Sequence, residues 1–190
     1  MRVLCLGDSN TYGYDPRSYL GGRYPAESRW VDLLARQTGW EFLNAGESGL
    51  AIPRRSYEMI WFRRILADSQ PVDGMLIMLG GNDLLQGADA KETARRMEDF
   101  LAEIPLPRET ILLIAPPPMR PGAWITEPRL LEDSERLGKE YRTLAERTGV
   151  RFADAGRWNI AVTFDGVHFT EEGHRTFAAE LSKVLREETE

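Results

Sequence analysis

Short apolar runs recur along the chain, and longer stretches with helical periodicity lie between them. The runs are Val3–Leu6, Phe42–Asn44, Met75–Leu79, Ile111–Ala115 and Val150–Ala153. Met75–Leu79 is apolar throughout, the pattern of a strand buried on both faces of a parallel sheet. Between the runs, Ser28 to Gln37 carries Trp30, Val31, Leu33 and Leu34 as an apolar stripe, and Gly39 supplies the stop. Further helices are expected over Tyr57–Ala67, over Lys91–Glu103 before Pro105 and Pro107, and over Leu131–Arg147 before Gly149. A last helix begins near Glu171 with Thr170 as its N-cap. Phe177, Ala178, Leu181, Val184 and Leu185 recur there at helical spacing and are expected to face the core. Strands alternating with helices predict an α/β fold, a parallel sheet covered on both faces.

Composition narrows the class. The chain has 190 residues, 42% hydrophobic and 28% charged, and no Gly/Ser/Pro-rich linker divides it, so residues 1–190 are expected to form a single domain. The net charge of −6 argues against a nucleic-acid partner and otherwise reads as surface solubility. The single cysteine, Cys5, lies in an apolar strand, where it has no disulfide partner and reads as a core residue. No stretch approaches the ~18 apolar residues of a membrane helix. The first apolar run is also too short for a signal-peptide core, so a cytoplasmic location is expected.

In open parallel sheets, ligands bind beyond the carboxyl ends of the strands. Gly7-Asp8-Ser9, Asn44 to Gly49, Gly80-Gly81-Asn82-Asp83, Ala115 to Pro118 and Asp165-Gly166-Val167-His168 are all expected on that rim. Ser9 is the candidate nucleophile, with small Gly7 permitting a tight strand-to-helix turn; alternatively Ser9 only caps a helix. His168 is the candidate base, and Asp165, three residues earlier, can fix its tautomer and stabilise the imidazolium. His174, the only other histidine, is the rival base or else a packing residue. His168, Glu171, Glu172 and His174 do not have His-Glu-x-x-His spacing, so no metal site and no cofactor are expected. A tetrahedral oxyanion needs donors already in place. Asn82 offers a side-chain amide, the Asn44–Gly49 segment a glycine amide, and Ser9 its own amide.

Together these blocks resemble the SGNH hydrolases, the GDSL esterase/lipase superfamily, in the family's order and over nearly the whole chain. The resemblance implies a flavodoxin-like three-layer α/β/α sandwich with five parallel strands in the order 2-1-3-4-5. It implies Ser9, His168 and Asp165 as the triad, and Ser9, Gly49 and Asn82 as oxyanion donors, with Gly49 aligning better than Gly46. Asp8 becomes a support for the nucleophile turn. Asn10 stands where the motif's name has leucine, and Glu47 places a charge beside the oxyanion loop, read as pointing outward into solvent. The segments Ser9–Tyr14 and Pro116–Pro118 loosely resemble the arylesterase and acyltransferase branch.

The expected activity is hydrolysis of small-molecule esters with short acyl or aryl groups, through an acyl-enzyme. Tyr12, Tyr14 and Trp124 are candidate pocket residues, and the long connection 116–129 is expected to act as a lid or contact. O-deacetylation of carbohydrates and acyl transfer are alternatives on the same site, and a non-catalytic carbohydrate- or acyl-binding module is the non-enzymatic one. Nucleotide or flavin binding lacks its glycine motifs after the first strand. The sequence leaves the oligomeric state open, a homo-oligomer included.

Overall fold

Along the first strand, side chains alternate between two faces, and both faces are apolar. This forces the strand into the centre of a sheet covered on both sides. A computed structural model of the chain describes residues 1–18 and 21–187. Its elements run β1 (Arg2–Gly7), α1 (Ser9–Tyr12), α2 (Trp30–Thr38), β2 (Glu41–Gly46), α3 (Ser56–Ser69), β3 (Gly74–Met78) and α4 (Gly81–Leu85). They continue with α5 (Ala90–Ala102), β4 (Ile111–Ala115), α6 (Pro128–Thr148), β5 (Arg151–Asp154) and α7 (Glu171–Glu187). The five strands form one parallel sheet in the order β2-β1-β3-β4-β5.

Leu4 and Leu6 of β1 join Met75 and Ile77 of β3 in a core closed by α3, α5 and α6, through Phe62, Phe100 and Tyr141. Val3 and Cys5 join Leu76 and Met78 in a second core, closed by α2 and α7 through Trp30, Leu34, Phe177 and Leu181. The result is the expected three-layer sandwich. Each large apolar side chain fully buried in it contributes about 2 kcal/mol. Cys5 is one of these core residues, and burial pushes its thiol far above the usual range.

The expected strands and long helices are all present, with ends shifted by a few residues. Gly39 and Gly149 end α2 and α6 in the left-handed conformation that glycine tolerates. Thr170 Oγ1 accepts from Gly173 N–H at 3.0 Å, the N-cap bond read from the sequence. Two short helices, α1 and α4, lie inside blocks that carried too few residues for a periodic signal. Helix α6 starts at Pro128, which shortens the long connection by two residues. Among the described residues, no helix is long and apolar enough to cross a membrane.

Register decides what meets at the rim. Gly7, the last residue of β1, is level with Gly46 of β2 and with Met78 of β3. The chain therefore leaves three adjacent strands at one height. Gly46 lies against the backbone of α1: a Cβ there would come within 2.2 Å of Tyr12 N and 2.6 Å of Thr11 C. A glycine is needed there for close approach, not for an unusual φ.

His174 is a core residue and not a rival base. It is fully buried in α7, with its ring edge-on to Tyr24 and Phe169, and its Nδ1 accepts from Trp30 N–H at 3.4 Å. Burial, with Arg29 and His168 adding to it, lowers its pKa from 6.5 to about 3.

Two predictions follow from this packing. Gly46→Ala meets backbone, which cannot rotate away, and is expected to cost about 1–3 kcal/mol. Thermal unfolding should show a drop of at least about 2 °C, and a wild-type Tm would contradict the close approach. The second concerns pH. Below about pH 6.5 the unfolded chain protonates His174 and the native chain does not. This histidine therefore removes stability as pH falls, by up to about 1.4 kcal/mol per unit, until its folded pKa near 3 is reached. Denaturant titrations of wild type and His174→Gln across pH 7 to 5 isolate the effect; parallel stability–pH curves would contradict it.

Candidate active site

The turn that carries Ser9 begins where β1 ends. A Cβ on Gly7 would lie 2.0 Å from Thr11 Oγ1, so only glycine lets α1 fold back so tightly onto the strand. Asp8 caps α1: its Oδ1 accepts from Asn10 N–H at 2.9 Å. Ser9 is thus not the capping residue, and its hydroxyl is available. Burial raises the Asp8 carboxyl to about 6, against the Asn10 N–H and the His168 charge, which lower it.

Ser9 Oγ lies 2.9 Å from His168 Nε2, and His168 Nδ1 lies 2.7 Å from Asp165 Oδ2. Ser9 and His168 are nearly buried and Asp165 wholly so. Asp165 Oδ1 accepts from the N–H groups of Val167 and His168 at 2.9 and 3.0 Å. Burial pushes this carboxyl up, but the His168 ring and the two backbone donors outweigh it and hold it down at about 2. An ionised carboxylate at Nδ1 places the ring proton there. Nε2 is then left to accept from the Ser9 hydroxyl.

Ser9, Gly49 and Asn82 line one cavity. The Ser9 N–H opens α1 and has no intrahelical acceptor. Gly49 sits at φ 81° in an open turn after β2 and lines the same cavity, whereas Gly46 is packed against α1. Asn82, in the first turn of α4, donates one Nδ2 hydrogen to Leu50 O at 3.0 Å, which orients the amide and leaves the other hydrogen for a ligand. Its neighbour Asp83 is fully buried, accepting from Ile52 N–H at 2.9 Å and from Arg96 Nη1 at 2.9 Å. The first bond ties α4 to the segment that carries Gly49, and the second ties it to α5. Glu47 is exposed and does not line the cavity that holds Ser9.

The cavity is open to solvent, of about 350 Å³, and its walls include Tyr14, Ser48, Leu85, Trp124 and Val167. Tyr14 and Trp124 stand edge-on to the His168 ring, with centroids 4.8 and 5.1 Å away. Tyr12 does not join them: its ring lies under the Arg23 guanidinium, 4.5 Å from centroid to carbon. Helix α1 ends at Tyr12, and Gly13, at φ 89°, turns the chain, so Tyr14, outside the helix, lines the cavity while Tyr12 does not.

The connection after β4 is docked against the loop that carries Asp165 and His168. Arg120 N–H donates to Gly166 O at 2.9 Å, Ala123 N–H to Phe164 O at 3.0 Å and Trp124 N–H to Asp165 O at 3.2 Å. A Cβ on Gly122 would lie 2.5 Å from Asp165 C, and one on Gly166 would lie 2.0 Å from Arg120 O. The segment thus forms a fixed wall that presents Trp124 beside His168. The sequence reading passed over Ser48, Leu85, Val167 and the Asp83–Arg96 pair. Leu85 follows Asn82 at helical spacing, a signal that was available; the partner of Asp83 was not identifiable before the fold brought α4 and α5 together. Among the described residues, no group of three or more His, Cys, Asp or Glu side chains is placed to hold a metal ion.

Comparison with known proteins agrees with this geometry. No curated protein matches the chain. Among solved structures, a candidate arylesterase from Agrobacterium tumefaciens is 30% identical, with 98% of each chain covered and a TM-score of 0.85. A carbohydrate acetylesterase from Sinorhizobium meliloti is 26% identical over 97% of this chain and 98% of its own, with a TM-score of 0.83. An aryl esterase from M. smegmatis is 26% identical over 98% of each chain, with a TM-score of 0.81. The GDSL-like lipase/acylhydrolase family matches residues 5–176. This protein is therefore a hydrolase that belongs to the GDSL-like lipase/acylhydrolase family, within the SGNH superfamily.

Proposed function

We propose that this protein is a serine esterase acting on small esters with short acyl groups. The observation that carries the proposal is the continuous chain Ser9 Oγ–His168 Nε2, His168 Nδ1–Asp165 Oδ2, at 2.9 and 2.7 Å, at the floor of an open cavity. Ser9 attacks the ester carbonyl while His168 takes its proton. The oxyanion is held by the N–H groups of Ser9 and Gly49 and by the free Asn82 amide hydrogen. Each such donor contributes about 3–4 kcal/mol of transition-state stabilisation. His168 then protonates the leaving alcohol, the acyl group remains on Ser9, and water activated by His168 releases it. Asp165, held ionised at neutral pH, keeps the imidazole oriented and stabilises its cation.

Because His168 Nε2 delivers the proton, the leaving alcohol sits against that ring, beside Tyr14 and Trp124. Two aromatic edges there favour an aryl or a sugar alcohol. A cavity of about 350 Å³ shared between alcohol and acyl group leaves room for a short chain. Deacetylation of carbohydrates is the second reading, supported by Trp124, which is 52% exposed and so presents surface on which a sugar ring can stack.

The first test is hydrolysis of p-nitrophenyl esters from acetate to decanoate by wild type and Ser9→Ala. Activity should be highest on the short esters and fall about 10⁶-fold in the variant; a variant that keeps turning over would exclude Ser9 as the nucleophile. Asn82→Ala should lower kcat by about 10²–10³. A change confined to KM would show that Asn82 only binds substrate.

A further inference from the structure

The loop that carries His168 has a long way to travel. It leaves the sheet after β5, at one edge, and must reach Ser9 beyond β1, with β3 and β4 in between. The sheet's hydrogen-bond ladder does not extend to it: its own pairing is the isolated bridge Val162–Phe169. Asn10 spans the remaining gap. Its Nδ2 donates to Val167 O at 3.1 Å, and its Oδ1 accepts from Phe169 N–H at 2.9 Å. One amide therefore holds the backbone on both sides of His168, across 159 positions of sequence. Asn10 is 8% exposed and Phe169 is fully buried, so water does not readily substitute for the bond between them. The amide can face only one way, since its oxygen meets a donor and its nitrogen an acceptor.

Asn10 is itself fixed. Its N–H bonds to Asp8 Oδ1 at 2.9 Å, and its carbonyl accepts from Trp30 Nε1 at 3.0 Å. It is also the residue next to Ser9. A short ring closes as a result: Ser9 Oγ to His168 Nε2, along the backbone to Phe169 N–H, to Asn10 Oδ1, and back to Ser9. One side chain adjacent to Ser9 thus links it to the His168 backbone, beside the bonds that hold the same loop to the segment after β4.

We propose that Asn10 is a positioning residue that sets the reach of His168 to Ser9 by clamping Val167 and Phe169. This rests on the serine-esterase reading above. A leucine at this position offers neither a donor nor an acceptor, so in this chain Asn10 is a part of the site rather than a neutral variation of the motif.

The test compares wild type, Asn10→Leu, which removes both bonds, and the isosteric Asn10→Asp, which keeps the acceptor and loses the donor. Kinetics on p-nitrophenyl acetate, the rate of inactivation by a fluorophosphonate and circular dichroism are measured on each. A displacement of the base on the ångström scale should lower kcat and the inactivation rate together by about 10²-fold, with KM within about threefold of wild type and the fold retained. Should Asn10→Leu not fold, Asn10→Asp decides. Folded variants with wild-type kcat, or a loss confined to KM, would overturn the proposal. Failure of both variants to fold would overturn it too, by assigning Asn10 to stability alone. A wild type inert to both ester and fluorophosphonate would instead remove the esterase reading itself.

Discussion

The end of β1 is the point on which the rest of the site depends. Gly7 is level with Gly46 on one side and Met78 on the other, so three turns start from one edge. That shared height puts the first N–H of α1, the Gly49 turn and the Asn82 amide around one space. Glycine is required twice for it. A side chain on Gly7 would strike Thr11, and one on Gly46 would strike the α1 backbone. Parallel pairing makes this economical, because strands that run the same way deliver all their outgoing loops to the same rim.

The two aspartates of the site show how environment sets chemistry. Asp8 and Asp165 are both buried, the one next to Ser9 and the other bonded to His168. Burial pushes the Asp8 carboxyl up to about 6, against the backbone N–H groups of Asn10 and Asp8 and the His168 charge. Asp165 receives two backbone donors and the imidazole, and stays ionised with a pKa of about 2. Desolvation dominates at Asp8, whereas the direct imidazole hydrogen bond and the two backbone donors outweigh it at Asp165. The difference suits a cap under the nucleophile turn in one case and a permanent anion behind an imidazole in the other.

Rigidity is distributed in the same way. The wall that carries Trp124 is bonded backbone to backbone onto the Phe164–Gly166 stretch, so the aromatic side of the cavity and the triad loop form one packed unit. Across the site, Asp83 bonds to Ile52 and Arg96 and anchors the short α4 that would otherwise be held by few contacts. Burying a carboxylate is tolerable there because both of its oxygens are used.

Apolar runs and helical periodicity determined the strand and long-helix sequence, because those signals are local and repeat many times. Glycines after α2 and α6 and the threonine before α7 marked ends for the same reason. Ser9, Asp165 and His168 were visible by residue type and by their position after strands, and Gly49 and Asn82 through the motif resemblance. What the sequence did not disclose involves contact between distant segments. His174 and His168 are chemically identical in sequence, and only burial in α7 against Trp30 separates a core histidine from the one beside Ser9. Gly46 and Gly49 were both available as oxyanion donors until the packing of β2 against α1 filled the space over one of them. Tyr12 and Tyr14 looked equivalent, yet Tyr12 ends α1 under Arg23 and Tyr14, beyond the Gly13 cap, stands beside His168. The amide of Asn10 found its partners 157 and 159 residues away. Local pattern fixes which element a residue joins; which side chains then share a cavity depends on register and long-range closure, and a one-dimensional pattern does not encode that directly.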